Sequence, residues 1–89
     1  MSLNETNPDD QALALAALGW TLQDTGRAER LLGLTGLSPD DLRSRLEDRA
    51  LLAEILRFLE GHEPDLIACA ESLVISPARI VQARQALEK

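Results

Sequence analysis

Apolar residues recur along this chain every three or four positions, which is the spacing of one face of an α-helix. The clearest run lies in the segment LLAEILRFLE, where one face carries Leu51, Leu52, Ile55, Leu56 and Leu59. Leu and Ala, which favour helices, dominate the apolar residues, whereas the β-branched residues typical of strands are scarce. The pattern predicts an all-α protein, a compact bundle of five to six short helices with helix-turn-helix-like corners.

Capping residues, prolines and glycines indicate where these helices begin and end. Asn7 fits the N-cap of the first helix, because the following Pro8 suits the first helical position. Gly26 marks a break, and Gly36 suits a left-handed C-cap. The predicted helices run from Pro8 to about Gln23 or Asp24, over roughly 27–35, from Pro39 to about Leu46, between Asp48 and Gly61, from Pro64 to the region of Val74, and from Pro77 onward.

Two segments share one pattern at the start of a helix: TGLSPDDLRSRL at 35–46 and LVISPARIVQAR at 73–84. We expect the hydroxyl groups of Ser38 and Ser76 to cap the helix that follows, with the next residue, a proline, in the first helical position. An apolar residue before each Ser and another four positions after it predict a hydrophobic staple. Both segments are therefore predicted to be tight corners, a likeness that shared capping chemistry explains better than duplication.

The second corner departs from the first at two positions. Val74 stands at the turn, where a positive φ angle is usually needed and glycine is expected, which puts the tightness of this corner in question. Arg79 places a cation in the first turn of a helix, where the helix dipole disfavours it. The sequence therefore predicts another role for Arg79.

The first predicted helix is apolar on nearly every side, as the stretch ALALAALGWTL shows. Such a helix is either central in the core or half of an oligomer interface. Trp20 within it and Phe58, which lies off the main apolar face of the fourth helix, are the two apolar anchor candidates for binding a partner. The alternative for both is core packing, which we favour for Trp20.

Length and charge narrow the class of protein. The 89 residues allow one domain, predicted as a flexible tail over 1–7 and a single helical domain over 8–89. The net charge of −6 disfavours nucleic-acid binding, and the single Cys69 allows no internal disulfide. The N-terminal residues do not resemble a signal peptide, and the longest apolar run is far shorter than a membrane span. We therefore expect a cytoplasmic protein with no membrane association.

A DNA-reading helix-turn-helix is the most specific alternative function. The stretch IACAESLVISPARIVQAR has the expected spacing of a small residue, a turn and a buried aliphatic residue. On its last helix Arg79, Gln82 and Arg84 are polar-face candidates, since Arg and Gln suit base edges. The competing interpretation, a solvated surface helix, is favoured because the protein is acidic overall.

The residues that catalysis or metal binding would need are sparse. His62, Glu63, Asp65 and Cys69 are close in sequence, but a helical metal pair requires spacings of three or four on one face. His62 lies outside the helix that Pro64 begins, and Cys69 is seven residues further along the chain. Cys69 is flanked by apolar residues, a setting that leaves a thiol unreactive, and no phosphate-binding glycine loop is present. We expect no enzyme activity, no catalytic residues, no metal and no cofactor.

Several stretches resemble a family of short bacterial proteins, found mainly in alphaproteobacteria, that is classified as a domain of unknown function. The resemblance covers about residues 8–88 and is most specific in LTGLSPDDLR, followed by the segment at 58–66. It implies an all-helical, cytoplasmic protein of this length and no known activity or site. The departure from the family is at LVISP, where a glycine-containing turn is expected.

Taken together, these patterns predict a non-catalytic protein-interaction or accessory module. Its partner is expected to be an unidentified protein or a second copy of the chain, through the first helix. The alternative is a DNA-binding or transcription-linked protein that uses its C-terminal helix.

Overall fold

The computed structural model describes residues 8–89, and within this range the chain forms six α-helices and no strand. The all-α prediction is therefore confirmed, while the expectations for residues 1–7, including Asn7 as a cap, lie outside the described residues. The helices are α1 Pro8–Leu22, α2 Thr25–Thr35, α3 Pro39–Ser44, α4 Arg49–Glu60, α5 Glu63–Leu73 and α6 Pro77–Leu87.

The core is built around α4, which packs against α1, α2, α5 and α6. Half of its residues are buried apolar side chains, because the predicted three-and-four spacing places them on one face: Leu51, Leu52, Ala53, Ile55, Leu56 and Leu59. The first helix also contacts four others, so its predicted central position holds for one side. Its opposite side remains exposed. The two sequence-based alternatives for this helix, a core position or an interface, therefore refer to two different faces of it.

Both Ser-Pro corners have the predicted caps. The Ser38 hydroxyl accepts a hydrogen bond from the Asp41 N–H at 3.1 Å, and the Asp41 carboxylate accepts one from the Ser38 N–H at 2.9 Å. The bond from the Ser38 backbone N–H, followed by an effect of the Ser38 hydroxyl, holds the pKa of the Asp41 carboxyl below its usual value. The Ser76 hydroxyl accepts from the Arg79 N–H at 3.2 Å. Each cap satisfies a backbone donor that the helix itself leaves unpaired.

The second corner closes without a glycine. Val74 adopts the left-handed conformation, with φ 59° and ψ 48°, and the Ile75 N–H donates to the Ala70 carbonyl at 2.9 Å. Gly36 holds the equivalent conformation at the first corner, with φ 74°. For a β-branched residue this backbone costs about 1–2 kcal/mol, since the side chain crowds the following carbonyl. The corner is therefore tight, and α6 turns 99° away from the direction of α5.

Some helix ends differ from the prediction. The second helix begins at Thr25 because the Asp24 carboxylate accepts from the Arg27 N–H at 2.9 Å, so Gly26 lies inside the helix and is not a break. The third helix ends at Ser44, two residues earlier than expected, since Arg45 leaves the helical region with φ −122°. The predicted cap Asp48 accepts from the Ala50 N–H at 2.9 Å.

Over residues 8–89 no single helix has the length and apolar composition needed to cross a membrane. The α5–α6 pair satisfies both criteria only when its two strongly bent halves are counted together.

Candidate protein-interaction surface

An apolar groove of about 340 Å³ lies between α1 and α3, with α2 contributing one residue; we call it the α1–α3 groove. One charged side chain, that of Arg43, lines it. The other lining residues are Leu15, Leu18, Gly19, Leu22, Leu32, Pro39, Leu42 and Leu46. The groove is a concave apolar surface with a charge at its edge, the usual form of a site that binds an apolar side chain or helix.

Exposed leucines are concentrated in this groove. Leu15, Leu22 and Leu46 are 40%, 43% and 38% exposed, and they are three of the six large apolar residues exposed within residues 8–89. Single exposed apolar residues are ordinary on a protein surface, but a contiguous group of them usually marks a contact with another molecule. The short α3 explains the opening, since this helix has only six residues beside the second half of α1.

The exposed side of α1 extends this surface toward the N-terminus of the helix. It carries Ala12, Leu15, Ala16, Gly19 and Leu22, which are exposed and recur at the spacing of one helix face; we call it the α1 outer face. No charged residue occurs from position 11 to position 23. A surface helix normally presents charged residues to water over such a length, so an uncharged outer face is unusual for a helix that contacts only solvent.

The two apolar anchor candidates from the sequence do not line the groove. Trp20 is half-buried against the core and is covered by Arg27, whose guanidinium lies 3.7 Å from the ring centroid and donates to the Trp20 carbonyl. Phe58 is likewise half-buried, with the Arg30 guanidinium 6.0 Å from its ring centroid. Arg30 is held there by Asp65 at 2.6 Å. Core packing, favoured for Trp20, therefore accounts for much of the surface of both rings.

The three polar-face candidates on α6 are not brought together as a basic surface. Arg79 binds the Asp10 carboxylate at 2.8 Å, which is 9% exposed, and so joins the start of α6 to the start of α1. This contact is the other role that the first-turn position of Arg79 predicted.

Arg84 forms two hydrogen bonds to the Glu60 carboxylate, at 2.8 and 3.0 Å, and a third to Glu88 at 2.9 Å. The Glu60 bond raises the pKa of the Arg84 guanidinium. Gln82 is exposed. The two arginines proposed to contact DNA are therefore already paired with carboxylates.

The thiol of Cys69 is buried between helices. Burial raises the pKa of this thiol to about 11, against a smaller lowering by Arg27 and with a small further raise by Asp65. The thiolate needed for nucleophilic attack is therefore rare at neutral pH. His62 occupies the N-cap position of α5 without a side-chain capping bond. In the part of the chain that the structure describes, no three His, Cys, Asp or Glu side chains are placed to hold a metal ion.

A second, more polar depression of about 590 Å³ lies where α4 meets the end of α6. Arg49 donates to the carbonyls of Ala86 and Lys89, at 3.1 and 2.9 Å, and so caps the C-terminal end of α6. Arg57 pairs with Glu88 across the same depression. Both cations therefore hold the end of α6 against α4. No local pattern in the sequence indicates a contact between residues 37 positions apart, such as that of Arg49 with Ala86.

Residues 39–46 form the wall of the α1–α3 groove that sequence reasoning missed. The signal was present, because Pro39, Leu42 and Leu46 recur at helical spacing, but it was attributed to the capping of the corner. Only the packing of α3 beside α1 shows that this apolar row faces the exposed leucines of the first helix.

The helices and the groove define a small all-α protein with an apolar surface between its first and third helices. The chain belongs to the family described as proteins of unknown function (DUF3572), whose family model matches residues 7–89. This match confirms the resemblance noted in the sequence. No curated protein and no solved structure matches the chain.

Proposed function

We propose that this chain is a non-catalytic protein-interaction or accessory module of the cytoplasm, and that the α1–α3 groove binds an amphipathic helix. The observation that carries the proposal is the convergence of three exposed leucines, Leu15, Leu22 and Leu46, in one groove. Helix-in-groove recognition uses such surfaces, since a partner helix places apolar residues at helical spacing against them.

The energy available fits a reversible interaction. Fully burying one leucine side chain contributes about 1.5–3 kcal/mol, so covering the exposed part of each groove leucine contributes about 1 kcal/mol. Association itself costs several kcal/mol in lost translational and rotational freedom. A partner must therefore add its own large apolar side chains to the groove, and the outer face of α1 offers further area beside it.

The carboxylates and the thiol support a non-catalytic role. Asp41 is used in the capping box at Ser38, and Asp40 pairs with Arg43 on the surface of α3. Cys69 is buried with a raised pKa. Asp40, Asp41 and Cys69 thus each have a structural explanation in this fold.

The test compares capture of proteins from a lysate of the source cell by three tagged forms: the wild type, Leu22→Glu and Leu34→Glu. Leu34 is the matched control, because it is a leucine of 77% exposure on α2 that does not line the groove. We expect a protein that survives nuclease treatment, binds the wild type and Leu34→Glu, and is lost with Leu22→Glu. Equal capture by all three forms would refute the groove as the binding site.

The DNA-binding alternative is supported by one observation, the 99° turn between α5 and α6, which is within the range of helix-turn-helix units. The ion pairs of Arg79 and Arg84 weigh against it. Phosphate contacts make binding fall steeply with salt, so duplex DNA titrated at about 50 and 200 mM salt distinguishes the two functions. Tight, salt-sensitive binding that is lost in Gln82→Ala would replace the interaction module with this alternative.

A further inference from the structure

We propose that the helix bound by the α1–α3 groove is basic, with lysine or arginine side chains along both edges of its apolar face. This inference rests on the proposed function, because it names the chemistry of the partner at the same groove. The leucines that line the groove select the apolar face of the partner. The charges around the groove select the residues that flank that face.

The arginines of this protein have little positive charge left to offer a partner. Within residues 8–89 six of the eight arginines each bind a carboxylate: Arg30, Arg43, Arg45, Arg57, Arg79 and Arg84. The other two, Arg27 and Arg49, donate to backbone carbonyls and do not line the groove. Because Arg43 pairs with Asp40 on the surface of α3, the cation at the groove edge already has its counter-charge.

Carboxylates beside the groove, in contrast, have no cation as a partner. Asp24, Glu29 and Glu47 are exposed, and within residues 8–89 none of the three forms an ion pair. Glu47 directly follows the groove residue Leu46. Glu29 lies three positions before the groove residue Leu32 in α2, so the two are neighbours on the helix surface. Asp24, the N-cap of α2, lies two positions beyond the end of α1.

Unpaired carboxylates at the edge of an apolar groove attract cations on the partner. The attraction strengthens when the apolar face of the partner displaces water from the groove. Lysine and arginine suit these positions, since their apolar stems can lie along the leucines while their charged ends reach the carboxylates. A helix with carboxylates at the same positions would bring like charges together. The edge of the groove therefore favours a basic helix over an acidic one.

The same charges disfavour other occupants of the groove. A second copy of the chain carries the same net charge of −6 and the same paired arginines, so two copies repel each other as they approach. Nucleic acids and anionic lipid surfaces are repelled for the same reason. A basic helix is attracted as it approaches and finds unpaired carboxylates when it binds.

Two synthetic peptides test the charge of the partner. Both are amphipathic helices of about 14 residues with leucine at helical spacing on one face, and the remaining positions are lysine in one peptide and glutamate in the other. At about 50 mM salt we expect fluorescence anisotropy to give a dissociation constant at least about tenfold lower for the lysine peptide, a ratio that falls at about 500 mM salt. Equal binding, tighter binding of the glutamate peptide, or no binding of either overturns the proposal.

Charge variants test whether the lysine peptide binds at the groove. The double variant Glu29→Gln with Glu47→Gln removes two carboxylates beside the groove, and the control Glu63→Gln with Glu71→Gln removes the same charge from exposed positions of α5, which does not line it. The first should weaken binding about threefold or more and the control less than about twofold, since one exposed ion pair contributes up to about fivefold. Equal effects would show that the peptide responds only to net charge, and would overturn the proposal.

Leucine variants test the apolar part of the same contact. Leu46→Ala should weaken binding of the lysine peptide about threefold or more, because it removes apolar surface that the peptide covers. The matched control is Leu34→Ala, which changes an exposed leucine outside the groove and should leave the affinity unchanged. Circular dichroism melts of both variants verify that each is folded during the titration. Equal affinities of the two folded variants would place the peptide elsewhere and overturn the proposal.

The two proposals fail in different ways. If the lysine peptide binds no better than the glutamate peptide, while Leu22→Glu still abolishes capture of a partner protein, the basic partner is wrong and the interaction module stands. If the lysine peptide binds the groove as described, while no protein is captured in a groove-dependent way, the charge preference of the groove stands and the interaction module is wrong.

Discussion

The inner and outer faces of α1 are built from the same kinds of residue and differ in what covers them. On the inner face Ala14, Ala17 and Leu18 are buried against α4 and α6, and the buried Thr21 hydroxyl donates to the Ala17 carbonyl at 2.9 Å. On the outer face Leu15 and Leu22 are 40% and 43% exposed. Composition alone therefore cannot distinguish a core helix from an interface helix, whereas the neighbours of each face can.

The largest effect expected from this comparison is a difference in the stability lost when a charge is placed on the inner face of α1 or on its outer face. Leu18→Asp should unfold the protein or cost more than about 4 kcal/mol, because it buries an unpaired charge in the core. Leu15→Asp should cost less than about 1 kcal/mol, since that position already contacts water. Thermal melts followed by circular dichroism measure both, and a normally folded Leu18→Asp would show that the inner face is not core.

A smaller effect is expected from the ion pair that fixes the start of α1. Asp10→Ala should lower the free energy of unfolding by about 2 kcal/mol, since it leaves Arg79 without its charged hydrogen-bond partner. The double variant Asp10→Ala with Arg79→Ala should cost clearly less than the sum of the two single variants. Additive costs in a urea double-mutant cycle would show that the pair contributes nothing to stability.

At the second corner, a substitution is expected to raise the stability of the protein. Val74→Gly should raise the free energy of unfolding by about 0.5–1 kcal/mol, because glycine accepts the left-handed backbone and the exposed side chain packs against little. Chemical denaturation measures this gain. The control is Gly36→Ala, which should destabilise the first corner, where the same backbone conformation is native to glycine. A loss of stability in Val74→Gly would mean that the valine is not strained.

The smallest expected effect concerns Cys69. Burial raises the pKa of this thiol to about 11, so folding opposes its ionisation. The contribution of the protonated thiol to stability is therefore present below the unfolded pKa and is lost as the pH rises toward 11. Native protein should therefore react with a thiol reagent at pH 8 much more slowly than protein unfolded in urea. Equal rates of labelling in the two states would place Cys69 at an accessible surface.

Local chemistry explains most of what could be predicted from the sequence. Helix periodicity identified the core face of α4, and the caps at Ser38 and Ser76 depend on atoms only a few residues apart. Val74 shows the limit of such reasoning, since glycine was expected where the surrounding corner holds a valine at positive φ.

Contacts between distant residues account for what the sequence could not predict. The position of Arg79 was anomalous in its own helix, and its partner Asp10 lies in a different helix. Similarly, the apolar row over residues 39–46 and the exposed leucines of α1 form one surface only through packing. The sequence therefore predicted part of the candidate site. It identified α1 as a possible interface, but it did not identify the groove or the wall that residues 39–46 form.

The most direct test of the account is the capture of partner proteins by the wild type and Leu34→Glu on one side and by Leu22→Glu and Leu46→Glu on the other, because the last two change opposite walls of the α1–α3 groove. If the groove is the binding site, both groove variants should lose the same protein, while the wild type and Leu34→Glu retain it. Retention by both groove variants would contradict the claim that the protein meets its partner between α1 and α3.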